Sequence, residues 1–357
     1  MKKILHFHPN AFYAQKFVTP LNNAEKEHGF LSKLVTETAD RSSDHIINFS
    51  ISFNPLKFIY RFLNLLTLLI RNKPNIVVVH NSSTALIPLL ASRLLFIKHI
   101  IYFNHGIPFL AYRGVLRVLL FFLEKFNCIL SKDIITVSYD MKSKFKSITR
   151  KKVIIIHKGS ASGLDLENKK HKVNFLKKII NFNISDKIIL YVGRPNKRKG
   201  FFDVLNMWNE LYQDKNDFKL ILLGISQSDI IKKTKIKAEN IFPMGFVVDS
   251  EPYYQLADYL FMTSHHEGLS YTVLESFKYR TLVISNKIDG VSELVQHKFN
   301  GFLVKNNNKH GFLNFVKYCE KNKKLKENFL DRSIKVIKKY EREKFLQSYI
   351  AFLKSFN

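Results

Sequence analysis

The sequence predicts an α/β protein of two domains, each built on a parallel β-sheet. The chain has 357 residues, which is enough for two hydrophobic cores. Short apolar segments alternate with helix-like stretches along its length, the pattern of strands joined by crossover helices. The division is expected in the polar segment between residues 163 and 187. This gives domains of residues 1–170 and 171–334, followed by a final helix of residues 335–357.

Five apolar segments of the first half have the composition of buried strands. They are residues 2–8, 75–80, 99–106, 134–138 and 153–157. His105 and Gly106 close the third of them. A histidine at a strand end is compatible with a functional role or with a purely structural one, and its sequence position does not separate the two.

A sixth strand is predicted at residues 187–193 and a seventh at residues 218–224, since both apolar runs end in glycine. Arg194 and Lys199 follow the sixth strand in the next turn. Open α/β sheets bind ligands at the carboxyl ends of their strands, and a diphosphate is well matched by a guanidinium and an ammonium group. Lys197 and Arg198 of the same turn are expected to be solvated.

Two carboxylates, Glu267 and Glu275, lie eight positions apart around a Gly-Leu-Ser turn. If a helix opens near Gly268, the backbone N–H groups that follow are unpaired donors at a positive helix end, where phosphate binds. Both carboxylates can then face one ligand, one toward sugar hydroxyls and the other toward a ribose diol. The residues alone leave an alternative open, in which one is an exposed loop side chain and the other a solvated helix side chain.

The segments around this pair occur in a distinctive order. A short strand precedes Glu267, another strand at 281–286 follows Glu275, and Asp289-Gly-Val-Ser-Glu293 and Asn300-Gly-Phe-Leu-Val304 come next. This succession resembles the retaining glycosyltransferases of GT-B fold family 4. The resemblance implies two Rossmann-like domains whose parallel sheets face each other across a cleft. It assigns acceptor binding to residues 1–170 and the nucleotide sugar to residues 171–334, and it implies that the final helix packs back on the first domain.

The resemblance also implies roles for individual residues. His105 and Glu267 are expected to be catalytic, with Glu267 holding the transferred sugar. Glu275 is expected to bind the ribose hydroxyls. The donor-binding set as a whole is Gly193, Arg194, Lys199, Gly268, Leu269, Ser270 and Glu275.

The loop after the first strand departs from the family pattern. Many members carry a Gly-Gly pair there, but residues 9–17 contain no glycine. Close approach of this backbone to the donor phosphates is therefore not expected. The segment is a candidate for contact with the acceptor instead.

The formal net charge is +28 and the pI is about 9.9. No Asp or Glu occurs between His45 and Leu123, and residues 55–71 have the pattern of an amphipathic helix with cations on one side. Such a helix binds the surface of an anionic membrane. The residues predicted to face that membrane are Lys57, Arg61, Arg71, Lys73, Arg93 and Lys98. Solvated lysine-rich faces and nonspecific nucleic-acid binding remain alternative explanations of the charge.

Taken together, these features and the family resemblance predict a glycosyltransferase, and the resemblance implies that it is a retaining one. It would move a sugar from a nucleotide-diphosphate donor, expected to be a UDP-sugar, to a lipid-linked saccharide for capsule, O-antigen or glycan assembly. The expected location is the cytoplasm, peripherally on the inner membrane face. Neither a cofactor nor a metal is expected, since the nucleotide sugar is a substrate and the sequence has no Asp-x-Asp motif or paired Cys/His ligands. Cys128 and Cys319 are expected to be reduced core thiols.

Two other functions stay open at this point. One is a nucleic-acid-binding protein or a sugar transferase that modifies DNA, although no nucleic-acid partner is expected because no recognised nucleic-acid-binding module is present. The other is a GT-B scaffold without catalytic activity. The presence of Arg194, Lys199, Glu267 and Glu275 together argues against the scaffold.

Overall fold

Two separate parallel sheets organise the chain, which confirms the predicted α/β fold class. The structure, a computed structural model, describes residues 1–167, 171, 173–183, 185–212, 218–233, 240–305 and 308–356. Part of the polar segment that was expected to divide the domains, residues 168–170 and 172, lies outside the described residues. The chain forms two units. The first is Met1–Asp165 together with Tyr340–Asn357, and the second is Leu166–Lys339.

The first unit holds a seven-stranded sheet in the order β3-β2-β1-β4-β5-β6-β7, with parallel pairing throughout. The strands are β1 Lys3–Phe7, β2 Leu31–Thr36, β3 His45–Ile46, β4 Ile76–His80, β5 His99–Asn104, β6 Asp133–Thr136 and β7 Val153–Ile154. The helices of residues 1–165 are α1 Ala11–Phe17, α2 Thr19–Glu27, α3 Pro55–Asn72, α4 Leu86–Leu94, α5 Gly114–Leu130 and α6 Tyr139–Phe145. A short 3-10 helix spans Pro108–Ala111.

The second unit holds a parallel sheet whose described strands run in the order β10-β9-β8-β11-β12-β13. They are β8 Lys187–Val192, β9 Phe218–Leu223, β10 Ile241–Gly245, β11 Tyr259–Met262, β12 Leu282–Asn286 and β13 Phe302–Val304. Its described helices are α7 Asn174–Ile179, α8 Phe201–Tyr212, α9 Gln227–Lys233, α10 Glu251–Leu256, α11 Tyr271–Lys278, α12 Lys309–Lys321 and α13 Lys323–Ile337. A 3-10 turn at Lys197–Lys199 joins β8 to α8.

In each sheet the strand order reverses at one point, between β1 and β4 and between β8 and β11. Central strands there are buried on both faces, as in β4, where all five residues are buried. Helices leave the carboxyl ends of neighbouring strands in opposite directions at such a point, and the crevice that remains is where open α/β sheets bind ligands. Each unit therefore has one site that its topology marks out.

The helix predicted over residues 335–357 is interrupted in the structure. A 3-10 turn, Lys338–Tyr340, follows α13, and the last helix is α14, Arg342–Lys354. The cause is a backbone bridge: Leu164 N–H donates to the Tyr340 carbonyl at 2.7 Å, and Arg342 N–H donates to the Leu164 carbonyl at 2.9 Å. Glu341 is extended to make this bridge, and α14 then packs on α2.

Four strands were not predicted as such from the sequence, namely β2, β3, β10 and β13. The last three lie at sheet edges. Lys33 interrupts the apolar pattern of β2, and four of the five residues of β10 are only partly buried, so neither has the continuous apolar run of a central strand. Residues 9–17, expected to be a loop, instead contain α1. Asn10 caps this helix by accepting a hydrogen bond from Tyr13 N–H at 3.0 Å.

We expect Gly163→Ala to destabilise the first unit by more than about 2 kcal/mol, because two costs add. Gly163 has φ +70°, and a Cβ there would lie 2.4 Å from the Arg342 Cα atom. Gly29→Ala is the matched control. Gly29 has φ +84° but open space around it, so its substitution should cost only about 1 kcal/mol. Urea unfolding of both variants measures the difference, and equal losses would show that the Arg342 contact yields without cost.

Candidate functional site

The turn after β8 is held close to β11 by glycines. Gly200 has φ +70°, and a Cβ there would lie 2.1 Å from the Thr263 carbonyl oxygen. A Cβ on Gly193 would lie 2.7 Å from the Tyr191 hydroxyl. That hydroxyl donates to the Lys199 carbonyl at 3.1 Å, and burial raises the pKa of Tyr191. The turn is thereby fixed at the carboxyl end of the sheet, next to the reversal of strand order.

Lys199 and Glu267 are brought together by this packing. The Lys199 ammonium lies 2.6 Å from a carboxylate oxygen of Glu267, whose side chain is 11% exposed. Arg198 lies 3.9 Å from the other oxygen. Burial alone would raise the pKa of Glu267, but the charges of Lys199 and then Arg198 outweigh it and hold the pKa below its ordinary value. Glu267 is therefore an anion at neutral pH.

Arg198 was expected to be solvated, but it is part of this cluster. Its guanidinium also donates to the His266 carbonyl at 3.2 Å. Lys197 is exposed as expected. The sequence could not separate the two, because their positions depend on how a single 3-10 turn faces the loop after β11.

Helix α11 starts at Tyr271, three residues after Gly268, so Glu267 lies in the preceding loop. Ser270 caps the helix by accepting from Val273 N–H, and its own N–H donates to the Gly290 carbonyl at 3.2 Å. The expectation that the Ser270 amide is open to a phosphate is therefore wrong. Gly290 approaches so closely that a Cβ on it would lie 2.3 Å from the Gly268 carbonyl oxygen.

Glu275 lies in the second turn of α11 and is 8% exposed. The buried Tyr254 of α10 is its neighbour. The pKa of Tyr254 is raised well above its ordinary value by burial and then by the negative charge of Glu275. Leu269 is also buried, while Arg194 is exposed. The second unit thus combines two carboxylates, three cations and a helix start within one short stretch of sheet edge.

His105 of the first unit lies at the end of a chain of buried side chains. Its Nε2 atom is 2.9 Å from Nδ1 of His80, and Nε2 of His80 is 3.0 Å from Nδ1 of His6. Nε2 of His6 lies 2.9 Å from a carboxylate oxygen of Glu25. The hydroxyl of Tyr349, from α14, donates to Glu25 at 2.8 Å.

Burial keeps His105, His80 and His8 neutral. Burial, followed by the charge of His8, lowers the pKa of His105 to about 3. Burial and the neighbouring histidines hold the pKa of His80 well below its ordinary value. Burial also lowers the pKa of His8 to about 4, although its hydrogen bond with Asn10 opposes this.

A second buried carboxylate, Glu124 of α5, supports the turn that carries His105. It accepts hydrogen bonds from Ser82, from Tyr102 at 2.7 Å and from the Asn104 amide at 2.9 Å. The Asn104 side-chain oxygen in turn accepts from Gly106 N–H at 2.9 Å. Burial raises the pKa of Glu124 to about 7, against these three hydrogen bonds.

His6, His80, Glu25 and Glu124 were not predicted from the sequence as part of a site. A usable signal existed for two of them. His6 and His80 lie, like His105, in or at the end of predicted parallel strands, and such strands place their ends along one sheet edge. No comparable signal marked Glu25 or Glu124, because each lies in a helix and its burial depends on which helix face meets the sheet.

The six cations that were predicted to face a membrane fall into two places. Lys57, Arg61 and Arg71 of α3 line a groove of about 840 Å³ between that helix and the segment after β3. Arg61 also donates to the Ser50 carbonyl at 2.7 Å. Lys73 follows α3, Arg93 lies in the last turn of α4, and Lys98 precedes β5; all three are exposed.

Cys128 and Cys319 are both free and buried, as expected. Within the described ranges, the structure contains no group of three or more His, Cys, Asp or Glu side chains placed to hold a metal ion. The same part of the chain contains no helix that is both long enough and apolar enough to span a bilayer.

Two family models match consecutive parts of the chain. The model for glycosyltransferase family 4 matches residues 23–160, and the model for glycosyl transferases group 1 matches residues 172–336. Together they cover most of both units.

The chain is also similar to individual proteins. It is 24% identical over 256 residues to the capsular polysaccharide biosynthesis glycosyltransferase CapM of Staphylococcus aureus, covering 68% of this chain and 66% of that protein. It is 28% identical over 175 residues to an uncharacterised glycosyltransferase of Haemophilus influenzae, covering 48% of this chain and 50% of that protein. The alignments thus span between half and about two thirds of these relatives.

Two solved structures have the same fold. The sucrose-phosphate synthase of Thermosynechococcus elongatus matches with a TM-score of 0.81 at 13% identity, over 99% of both chains. Anabaena HepE in complex with UDP-glucose matches with a TM-score of 0.80 at 14% identity, over 100% of both chains.

We expect the stability of the wild-type protein to fall by about 3 kcal/mol between pH 4.5 and about 7 through Glu124. The folded state raises the pKa of this carboxyl, so its contribution is complete below pH 4.5, is lost as the pH rises through about 7, and is constant above. Glu124→Gln removes this component. Glu27→Gln, at an exposed position of α2, is the control. Urea unfolding across this pH range gives the two differences from wild type, and a Glu124→Gln difference that does not change with pH would contradict the assignment.

Proposed function

The chain belongs to the GT-B glycosyltransferases of the family 4 type, and from this membership we propose that it transfers a sugar from a nucleotide-diphosphate donor to a saccharide acceptor in polysaccharide biosynthesis. The observation that carries the proposal is the cluster of Lys199, Glu267 and the start of α11 at the reversal of strand order in the second unit. The similarity to CapM, which is named for capsular polysaccharide biosynthesis, supports the pathway. HepE, solved with UDP-glucose, supports UDP as the nucleotide.

In this proposal the second unit binds the donor. Arg194 and Lys199 neutralise the diphosphate, and the first N–H groups of α11 add a positive helix end. Glu275 accepts hydrogen bonds from the ribose hydroxyls. Stabilising the negative charge that develops on the diphosphate as the sugar leaves is the largest contribution that such a site makes. With cations in this role the reaction proceeds without a metal.

Glu267 acts on the transferred sugar, and His105 of the first unit is the other residue to which the family resemblance assigns a catalytic role. Glu267 is an anion already held by Lys199 and Arg198, so it can stabilise positive charge on the sugar ring while also accepting hydrogen bonds from sugar hydroxyls. The reaction proceeds with retention of configuration, as the family resemblance implies. The transferred sugar is a hexose or an N-acetylhexosamine.

The acceptor is a lipid-linked saccharide, and helix α5 supports this part of the proposal. Its buried positions are Glu124, Asn127 and Cys128, while apolar side chains point outward. Seven large apolar residues of α5 are exposed, with exposures of 46 to 76%: Val115, Leu116, Val118, Leu119, Phe122, Phe126 and Ile129. A helix with a polar buried face and an apolar outer face requires an apolar surface to cover it.

An anionic bilayer is the surface that fits. Leu56, Ile59 and Leu63 of α3 are more than half exposed, and the cations of the α3 groove lie on the same helix. The acid-free stretch from His45 to Leu123 contains both α3 and most of α5. Apolar side chains that enter the interface and cations that meet lipid phosphates are the two components of peripheral membrane binding. The enzyme would then work at the cytoplasmic face of the membrane.

We expect UDP to raise the melting temperature of the protein more than ADP does, and Glu275→Gln to abolish most of the rise. The reason is that a ligand stabilises only the folded state to which it binds. Lys199→Ala should weaken UDP binding by about tenfold or more, because it removes a charge-assisted contact. Lys197→Ala is the matched control, since this exposed lysine lies in the same turn. Equal responses to UDP in the wild type and the three variants would contradict the assignment of Glu275 and Lys199 to the donor site.

We expect Glu267→Gln to lower kcat by about 10² to 10³-fold while leaving the Kd of UDP nearly unchanged. The carboxylate acts on the sugar, which UDP lacks, so nucleotide binding should not report its loss. Transfer from UDP-glucose and UDP-N-acetylglucosamine to a lipid-linked saccharide gives kcat, and titration calorimetry gives Kd. A variant that loses UDP affinity but keeps kcat would place Glu267 on the nucleotide instead.

We expect vesicles of phosphatidylglycerol and phosphatidylcholine to sediment the protein at low salt and to release most of it at high salt. The combined variant Val118→Ser, Leu119→Ser and Phe122→Ser should bind about tenfold more weakly or worse, because each buried apolar side chain contributes about 1.5 to 3 kcal/mol. The control carries Phe175→Ser and Ile179→Ser, which alter exposed apolar residues of α7 in the second unit. Equal binding to vesicles of phosphatidylcholine alone would contradict the electrostatic contribution to membrane binding. Unchanged binding by the α5 variant would contradict the assignment of α5 as the membrane-binding surface.

A further inference from the structure

The groove between α3 and the segment after β3 has no role in the proposed donor site. It has a volume of about 840 Å³ and lies wholly within the first unit. Its lining residues on α3 extend from Lys57 to Asn72, which is about 22 Å along the helix axis. The groove is therefore long enough for an extended ligand rather than a single small anion.

Hydrogen bonds build part of this groove before any ligand binds. The carboxylate of Glu37 accepts from the backbone N–H groups of Phe49 and Ser50 at 2.7 and 2.5 Å, and from the Ser50 hydroxyl at 2.6 Å. The Ser50 carbonyl accepts from the Arg61 guanidinium at 2.7 Å. Arg61 is thereby held at the groove with further N–H groups left to donate. A cation that is already held in place loses less entropy when it binds a ligand.

The groove is cationic. Lys57, Arg61 and Arg71 line it, and none of the described residues that line it is Asp or Glu. Three cations without an acid beside them in the groove favour an anionic ligand. Guanidinium and ammonium groups are well matched to the oxygens of carboxylate and phosphate groups.

Neutral hydrogen-bonding side chains lie between these cations along α3. Tyr60 and Asn64 line the groove from the helix, and Asn48 lines it from the segment after β3. Amides and hydroxyls both donate and accept, and so do the hydroxyls of a sugar. His45 lines the groove as well, and its buried Nε2 atom has no hydrogen-bond partner among the described residues. A lipid phosphate needs only the cations, whereas a ligand with hydroxyls along its length uses both kinds of group.

The groove lies on a different side of α3 from the apolar side chains assigned to the membrane. At about 100° per residue, Arg61 lies about 160° around the helix from Ile59, which is 52% exposed. Attraction to an anionic bilayer depends on the number of nearby cations and needs no shaped recess. The recess and its neutral lining therefore indicate a second ligand in addition to the membrane.

We propose that this groove binds an acidic saccharide. Its carboxylate or phosphate groups bind Lys57, Arg61 and Arg71. Its hydroxyls bind Tyr60 and Asn64. The choice of a saccharide rests on the proposed glycosyl transfer, and the groove adds the class of glycan: the acceptor carries acidic sugars or phosphate groups, and the first unit retains the chain through them.

The class of ligand is tested by titration calorimetry of the wild-type protein with hexagalacturonate and with maltohexaose, a neutral saccharide of equal length. We expect hexagalacturonate to bind with a Kd below about 1 mM and maltohexaose to bind at least about tenfold more weakly. No binding of hexagalacturonate, or equal binding of the two, would overturn the proposal. Neither titration contains UDP. A protein that binds UDP but not hexagalacturonate would contradict the groove assignment alone, and the reverse result would contradict the donor site alone.

The position of the site is tested with two double variants, each of which loses one lysine and one arginine. Lys57→Gln with Arg71→Gln alters the groove, and Lys73→Gln with Arg93→Gln alters exposed cations outside it. We expect the first to weaken hexagalacturonate binding by about tenfold or more and the second by about twofold or less, because only the first removes charge-assisted contacts. Equal weakening by both would show that net charge, rather than the groove, attracts the glycan.

The variant Asn64→Ala separates this site from membrane binding, because it leaves the net charge unchanged. We expect it to weaken hexagalacturonate binding by about threefold to tenfold and to sediment with phosphatidylglycerol vesicles as the wild type does. The two double variants lose equal charge, so their sedimentation should fall equally. If sedimentation falls much further in the groove variant while both bind hexagalacturonate equally, the groove is a site for lipid phosphate and the proposal is wrong.

Discussion

Both sites depend on one constraint, which is that the carboxyl ends of parallel strands lie along the same edge of a sheet. Strands run in one direction in each sheet, so their final residues share one edge, and reversal of strand order opens a crevice there. In the second unit this edge brings Lys199, after β8, to Glu267, after β11. In the first unit it brings His6, His80 and His105, from three neighbouring strands, into one line. Residues separated by 68 and by 99 positions in the sequence meet for the same reason.

Three largely buried carboxylates differ in the groups that offset the free-energy cost of removing a charge from water. Glu267 is held as an anion by two cations, so its charge is available to a substrate. Glu124 has only neutral donors around it, and burial favours its protonated form. Glu25 accepts a hydrogen bond from the Tyr349 hydroxyl at 2.8 Å and lies 2.9 Å from Nε2 of the buried His6. The partners, more than the burial, decide what each carboxylate does.

The central strands and much of the candidate donor site were predictable from the sequence. Apolar segments ending in glycine predicted the central strands, and the spacing of Glu267 and Glu275 drew attention to the loop and helix that the structure places beside Lys199. Edge strands such as β3 were missed because they lack a continuous apolar run. The start of α11 was placed too early because the Gly290 carbonyl, remote in sequence, takes the Ser270 amide. The buried position of Glu25 could not be predicted, because its hydrogen-bond partners include Tyr349, 324 positions away.

Helix α5 has a polar buried face and an apolar exposed face because its buried side chains hold the turn that carries His105. Glu124 must face inward, because Ser82, Tyr102 and Asn104 bond to it, and Asn127 faces inward with it to donate to the Ser82 carbonyl at 2.9 Å. A helix has one buried face, so fixing polar groups there turns the remaining apolar side chains outward. The network that positions the Asn104–Gly106 turn therefore also sets the outward direction of Leu119 and Phe122. If that outer face meets the membrane, one helix joins the surface on which a lipid-linked acceptor resides to the turn that carries His105.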